Sequence, residues 1–167
     1  MPSITRRTAL PATPAQALAI SLDLDLELQV GRMHRLRIVD TGPGCSTGGA
    51  ISDGQTVTWS GRLWGWVPAS HTSVIAGGGP PDGAGTTGFT DSMVRGVFVH
   101  FRHQHTFEPA PPGCVMLDEI TWRSPLGALG LVADVLFVRS MLAALVDQRN
   151  AAIVARCGQE LGEERAG

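Results

Sequence analysis

The sequence predicts an α+β domain: a curved antiparallel sheet of about seven strands wrapped around one long C-terminal helix. Three observations carry that reading. Runs with strand-like alternation succeed one another from residue 35 to 123 with only loops between them. After Ser124–Pro125 the period changes, and apolar residues fall at three- and four-residue spacing as far as Val154. That stripe covers more than one helix face, so a flat sheet could not bury it and the sheet must curl. Strands in succession followed by a helix imply antiparallel pairing with the helices on one side.

Each element has its own signal. "SITRRTAL" alternates as a first strand and stops at Pro11; Thr13–Pro14 then reads as a hydroxyl cap followed by proline at the first helical position. "LDLDLEL" at 22–28 has strand period, yet a pair of short helices broken near Asp23 fits as well. "RLRIVD" (35–40), "TVTWSGRLWGW" (56–66, after the turn Asp53–Gly54) and "SHTSVIA" are the next strands. "GGGPPDGAGTTG" at 77–88 is a flexible loop, long for a connection between strands. "FTDSMVRG", "VFVHFRHQHTFEP" and "CVMLDEITWR" (114–123) complete the sheet. Ser124–Pro125 then caps a helix of about 30 residues, which reaches about 45 Å. The domain spans 1–157, and the polar end "GQELGEERAG" (158–167) is expected to be disordered.

The chain is 167 residues long, 43% hydrophobic and 17% charged, with room for one real core. A formal charge of −2 gives no electrostatic case for nucleic acid or anionic lipid. All thirteen basic residues are arginine, and tyrosine is absent. Cys45, Cys114 and Cys157 are odd in number and form no CxxC pair, which argues against a disulfide framework or structural zinc and fits the cytoplasm. "TRRTAL" has the look of an export signal, but Asp23, Asp25 and Glu27 stand where the apolar core of such a signal should run. Leu126–Val146 is long enough to span a bilayer; Asp134 and Arg139 near its middle favour a helix buried in protein and no membrane span. No GxSxG, HExxH or phosphate-loop motif is present.

"VRGVFVHFRHQHTFEP" and "DEITWRSPLGALGLVADVLFVRSMLAALVDQRNAAI" together resemble bacterial members of the START-like (SRPBCC) superfamily, the helix-grip fold. The matching residues run from Val94, Arg95, Gly96 and Phe98 through Phe101, Arg102, His103, His105, Phe107, Glu108 and Pro109. Asp118, Glu119, Pro125, Leu126, Gly127, Leu129 and Gly130 complete the set. "ALPATPAQALAISLDLD" and "VTW" (57–59) agree more loosely, and the glycine-rich loop departs from the pattern. The resemblance selects two helices over 14–30. It implies a lipid-, polyketide- or aromatic-like ligand between sheet and helix, or chemistry in the manner of a polyketide cyclase.

Three of the five histidines stand in "HFRHQHTF" (100–107). Strand parity puts Val97, Val99, Phe101, His103, His105 and Phe107 on one, more apolar face, with His100 on the other. Met116, Asp118, Ile120 and Trp122 share a face of the next strand; Glu119 lies opposite, so either face carries an acid. The resemblance turns Asp118 inward, beside His103 and His105, where it would raise the imidazole pKa.

The histidine pair then has four readings: a satisfied structural pair, polar anchors for a mostly apolar ligand, acid–base groups of a cyclase or dehydratase, and metal ligands. The last is the weakest: alternate strand residues lie roughly 6.5–7 Å apart, a workable spacing, but no third donor is evident, so no metal or other cofactor is expected. Candidate ligand-lining residues are Val99, Phe101, His103, His105 and Phe107, then Asp118, Ile120 and Trp122 on the neighbouring strand. Trp59 and Leu63 join them, although core packing is the plainer role for that face. Arg95 has inward parity and suits a carboxylate or phosphate, with a surface ion pair as its alternative. Leu129, Ala133, Leu136 and Phe137 represent the helix. Trp64 and Trp66 make a patch for a partner, so a homodimer, or a regulatory or chaperone-like module, stays open.

Overall fold

Alternation buries Ile4 and Leu10 of the first strand, β1 (Ser3–Leu10). The computed structural model describes residues 1–33, 35–42, 49–63 and 67–166. Thr13 caps α1 (Pro14–Ser21) as its sequence predicts: the Gln16 N–H donates to the Thr13 hydroxyl, and the Thr13 N–H donates to the Gln16 side chain. The ambiguous "LDLDLEL" resolves into the end of α1 and the start of α2 (Leu24–Met33). The break falls at Asp23, whose backbone pairs with Ala50 and whose carboxylate accepts from the Asp25 N–H at 2.9 Å. Leu22, Leu24 and Leu26 are all buried there. Their spacing of two is a packing pattern of two helices, not a strand.

The remaining strands are β2 (Arg37–Asp40), β3 (Thr56–Leu63), β4 (Val67–Gly77), β5 (Thr87–Arg95), β6 (His100–Ala110) and β7 (Gly113–Arg123). They form one seven-stranded sheet in the order β1-β7-β6-β5-β4-β3-β2, with every pair antiparallel. The register gives the sheet two distinct ends. Ser3, Arg37, Val67, Arg95, His100 and Arg123 lie at one; Leu10, Asp40, Thr56, Gly77, Thr87, Ala110 and Gly113 lie at the other.

The C-terminal helix differs from expectation in three respects. It begins at Ala128 rather than at Ser124–Pro125, because Leu126 and Gly127 take positive φ (69° and 55°) and interrupt the chain direction. A six-residue α3 (Ala128–Ala133) passes through a π turn (Asp134–Val138) into α4 (Arg139–Ala166). Ser124 does not cap; its hydroxyl and the Trp122 indole N–H (2.8 Å) both donate to the buried carboxylate of Asp134, which pins the helix entry to β7. Finally, α4 continues to Ala166, past residue 158, with Arg156 and Glu160 paired one turn apart.

The helix is also less buried than its composition suggests. Leu129, Val132, Val135, Leu136 and Phe137 are exposed, and only from Val138 do the helix's apolar side chains join the cluster on the sheet's inner face. By length and composition the helix Ala128–Gly162 could cross a membrane: its most apolar 18-residue window has a mean hydropathy of 2.0, and only 22% of that window is buried. The main core lies at the Leu10 end, where α1, α2 and the second half of α4 close over Phe107, Cys114, Met116, Ile153 and Cys157. A second cluster at the other end joins Ile4, Ile120, Trp122, Leu142 and Val146 to Phe98, Phe101 and Met141.

Candidate active site and ligand cavity

Between the two clusters lies a cavity of about 260 Å³. Its walls are Val30, Leu36, Ile51, Val57, Trp59, Ile75 and Phe89 on one side, and Ile120, Met141, Leu142, Leu145 and Val146 on the other. Val97, Phe98 and Phe101 border it near the Arg95–Arg123 end of the sheet, and the main core closes it below His105. Set into these apolar walls are Glu27, His71, Asp91, His103, His105 and Arg149.

The histidines face inward because Phe101, His103, His105 and Phe107 alternate with solvent-facing neighbours along β6. The register sets His105 directly opposite Asp118 of β7 and Asp91 of β5 directly opposite His103. The acid left ambiguous by the sequence is thereby assigned: Asp118 points in and is fully buried, while Glu119 is exposed. His103 Nε2 hydrogen-bonds Asp118 Oδ1 at 3.1 Å. His105 Nδ1 stands 2.6 Å from the same oxygen but out of line for a proper hydrogen bond, a close polar contact rather than an aligned bond. Asn150 of α4 donates through Nδ2 to Asp118 Oδ2 (2.6 Å) and to the Thr8 hydroxyl (3.1 Å). The His105 ring stacks on Phe89 at 4.3 Å and lies 3.8 Å from the His103 ring.

Burial opposes the charge on Asp118, but the hydrogen bond with His103 and the close polar contact with His105 outweigh it and hold the carboxyl well below the usual carboxylate range. Burial, with His103 and Arg149 nearby, pushes His105 well below the ordinary imidazole pKa despite Asp118, so its ring stays neutral. Burial also raises Asp91, against the nearby Ser73 hydroxyl and the favourable charges of His71 and His103, and lowers His71, against the pull of Asp91. The cavity thus holds an ionised carboxylate behind two imidazoles and a second carboxyl that resists ionisation.

Arg149 adds the remaining cation. Its Nε donates to Glu27 at 2.7 Å and its Nη2 to the Ser21 carbonyl at 2.9 Å, while Nη1 is buried without a partner. Asp91 Oδ1 is likewise buried without an aligned hydrogen bond, with the Ser73 hydroxyl close by. An unpaired donor and an unpaired acceptor in one apolar cavity leave room for a polar group of a guest. Donor atoms of His103, His105 and Asp118 also fall within 4.8 Å of one another, a spacing on which a divalent cation could sit, so Asp118 is the third donor that sequence spacing did not reveal.

Of the residues proposed from sequence, Trp59, Phe101, His103, His105 and Ile120 line the cavity. Phe107, Asp118 and Trp122 are buried behind its wall. Val99 does not line it: β6 begins only at His100, and Val99 is 53% exposed. Arg95 is exposed at the end of β5 and does not reach the cavity. Leu129, Ala133, Leu136 and Phe137 lie outside it too, because they precede the point where the helix meets the sheet. The Leu63 side chain, and with it Trp64, Trp66 and Cys45, lies outside the described residues. His71, Asp91, Glu27 and Arg149 were missed. Arg149 was legible, since it follows Leu142 and Val146 and precedes Ile153 at helical spacing; Asp91 shares the parity of Thr87 and Phe89.

No protein-family model matches the chain, and no curated protein sequence matches it either. Solved structures do. Protein TTHA0849 of Thermus thermophilus superposes with a TM-score of 0.65 at 14% identity, over 93% of this chain and 99% of that one. A START superfamily protein of Mycobacterium smegmatis gives 0.59 at 10% identity, over 94% and 97%. Norcoclaurine synthase of Thalictrum flavum, in complex with dopamine and hydroxybenzaldehyde, gives 0.56 at 11% identity, over 92% and 87%. The fold is therefore the helix-grip fold of the START-like proteins, in agreement with the resemblance read from the "FRHQHTFEP" and "SPLGALG" segments.

Proposed function

We propose that the chain binds one small, largely apolar molecule, of aromatic or polyketide-like character, with its polar head at Arg149, Asp91 and the histidines. The observation that carries this reading is the pair of buried, unpartnered polar atoms, Arg149 Nη1 and Asp91 Oδ1, on two residues that line a mostly apolar cavity. A volume near 260 Å³ suits one or two rings better than a two-chain lipid. That a neighbour of the same fold holds dopamine and hydroxybenzaldehyde supports a ring-sized guest.

The test compares 2-naphthol with naphthalene by fluorescence titration and native mass spectrometry. One 2-naphthol per chain is expected. Arg149→Met and Asp91→Leu should each weaken it by about tenfold, the worth of one hydrogen bond, and leave naphthalene little changed. Equal affinity for the two probes in every variant, or no binding of either, would sink the reading.

One observation favours catalysis as a second reading: the His103 ring borders the cavity and is hydrogen-bonded from behind to an ionised carboxylate, the arrangement of an oriented proton carrier. A cyclase- or dehydratase-like reaction on a poly-β-keto thioester would then be abolished by His103→Phe, whereas probe affinity would survive. Turnover retained in that variant excludes this chemistry.

A further inference from the structure

The net charge conceals a strong segregation. Residues 28–39, 54–81, 92–107 and 120–146 contain eight of the thirteen arginines and a single acid, Asp134. Asp134 is buried and accepts from Trp122 and Ser124, so it offers no surface charge. The strand register gathers four of these arginines at one end of the molecule. Arg37 starts β2, Arg62 lies opposite Pro68 at the start of β4, Arg95 ends β5, and Arg123 ends β7 opposite His100. These four arginines are exposed, as is Arg139 where α4 begins. Asp40, Asp53 and Asp82 lie at the opposite end: Asp40 closes β2, Asp53 precedes β3 and accepts from the Gly77 N–H, and Asp82 lies between β4 and β5.

The arginine-rich end is also the apolar end. Leu129, Leu131, Val132, Val135, Leu136 and Phe137 are between 54% and 78% exposed. The β5–β6 tip adds Val94, Val97 and Val99, held to the end of β7 by the Val99 N–H donating to the Arg123 carbonyl at 2.8 Å. Phe98 of this tip and Val138 of the π turn belong to one cluster, so tip and helix entry form a continuous surface. A patch this apolar on an otherwise polar surface marks a contact site.

The charges select its partner. Arg95, Arg123 and Arg139 have no carboxylate partner among the described residues. A two-fold contact with a second copy would set cations against cations, with no acid at the rim to pair them. A nucleic acid would use the arginines but leave the leucines, valines and phenylalanine uncovered. An anionic bilayer uses both: aliphatic side chains enter the acyl boundary while guanidinium groups stay at the phosphates. We propose that this end of the molecule, the rim of the cavity, docks on the surface of an anionic lipid bilayer. The docking surface stands independently of what the cavity holds.

The full chain should float with phosphatidylcholine–phosphatidylglycerol vesicles, bind pure phosphatidylcholine far more weakly, and be released by salt. Arg95→Ala, Arg123→Ala and Arg139→Ala should each lower vesicle affinity about fivefold. The double variant Leu136→Ser, Phe137→Ser should lower it about tenfold or more, with its unfolding transition unchanged because both side chains are already exposed, and 2-naphthol affinity should stay the same. Failure of the wild-type chain to bind the anionic vesicles would overturn the proposal. So would a sedimentation-velocity dimer that these two substitutions dissociate, or duplex DNA binding as tight as vesicle binding and indifferent to Leu136→Ser and Phe137→Ser.

Discussion

Replacing Asp118 by Asn keeps the shape of the side chain and removes its charge, which makes it the most direct probe of the buried network. Asp118 Oδ1 faces His103 at 3.1 Å and His105 at 2.6 Å, and Oδ2 accepts from Asn150 at 2.6 Å. An amide can accept at one atom only, so its NH₂ must oppose either the Asn150 amide or the imidazole N–H groups. Leaving such donors unmatched and the charge removed should cost about 2–4 kcal/mol at pH 7. The cost also depends on pH in a defined sense. The folded carboxyl titrates well below its unfolded value near 4, so its contribution is fully present above about pH 4 and is lost as pH falls towards the folded pKa. Urea unfolding of wild type and Asp118→Asn from pH 7 to pH 3 measures both terms. The stability gap should be constant from pH 7 to about pH 5 and shrink below about pH 4. A gap under about 1 kcal/mol that does not change with pH would refute an ionised, hydrogen-bonded Asp118.

The imidazoles give the complementary pH dependence. His71 and His105 have lowered pKa values, so the unfolded chain takes up protons first and stability should fall as pH drops below about 6.5, above the range where Asp118 acts; His105→Phe should flatten that limb in urea titrations. Asp134→Ala strands the buried Trp122 N–H and should cost about 1–3 kcal/mol, with faster amide exchange across 128–138 and little effect on 2-naphthol affinity. Gly88→Ala would drive a methyl group into the carbonyl oxygen of His105 on the neighbouring strand, a backbone atom that cannot swing aside. A loss of about 3 kcal/mol with weakened probe binding is expected; wild-type stability would show that β5 and β6 are not so close.

How much was legible depends on how local each signal is. Parity along β6 assigned His103 and His105 to one face because every residue from Phe101 to Phe107 stays in register with β7. The Thr13–Gln16 capping box was legible because all its atoms lie within four residues. The helix entry was not: Ser124–Pro125 has the grammar of a cap, but Leu126 and Gly127 turn the chain and Asp134 claims the Ser124 hydroxyl ten residues away. Parity likewise misassigned Val99 and Arg95, since alternation has meaning only inside a strand and β5 and β6 stop short of them or end on them. The Arg149–Glu27 pair joins residues 122 positions apart, and no spacing in the sequence announces such a contact.

The polarity of the cavity constrains any guest on the proposed reading. Along β6 the wall passes from Phe101 near the rim to His103 and His105, and along α4 from Met141 and Leu145 to Arg149. Apart from His71, which stands edge-on to Phe101, the polar groups therefore lie at the closed end, and a guest must enter head first, shedding water from that head before it meets its partners there. Arg149 is already neutralised by Glu27, and Asp118 remains ionised behind neutral His105. A carboxylate or phosphate head would face an uncompensated negative charge there and lose its hydration as well. A phenol, enol or ketone meets neither penalty and can still accept from Arg149 Nη1. Affinity for 2-naphthol should therefore exceed that for 2-naphthoate by at least about tenfold at pH 7. The reverse order would place a net positive charge at the closed end, against the neutral His105 ring that burial enforces there.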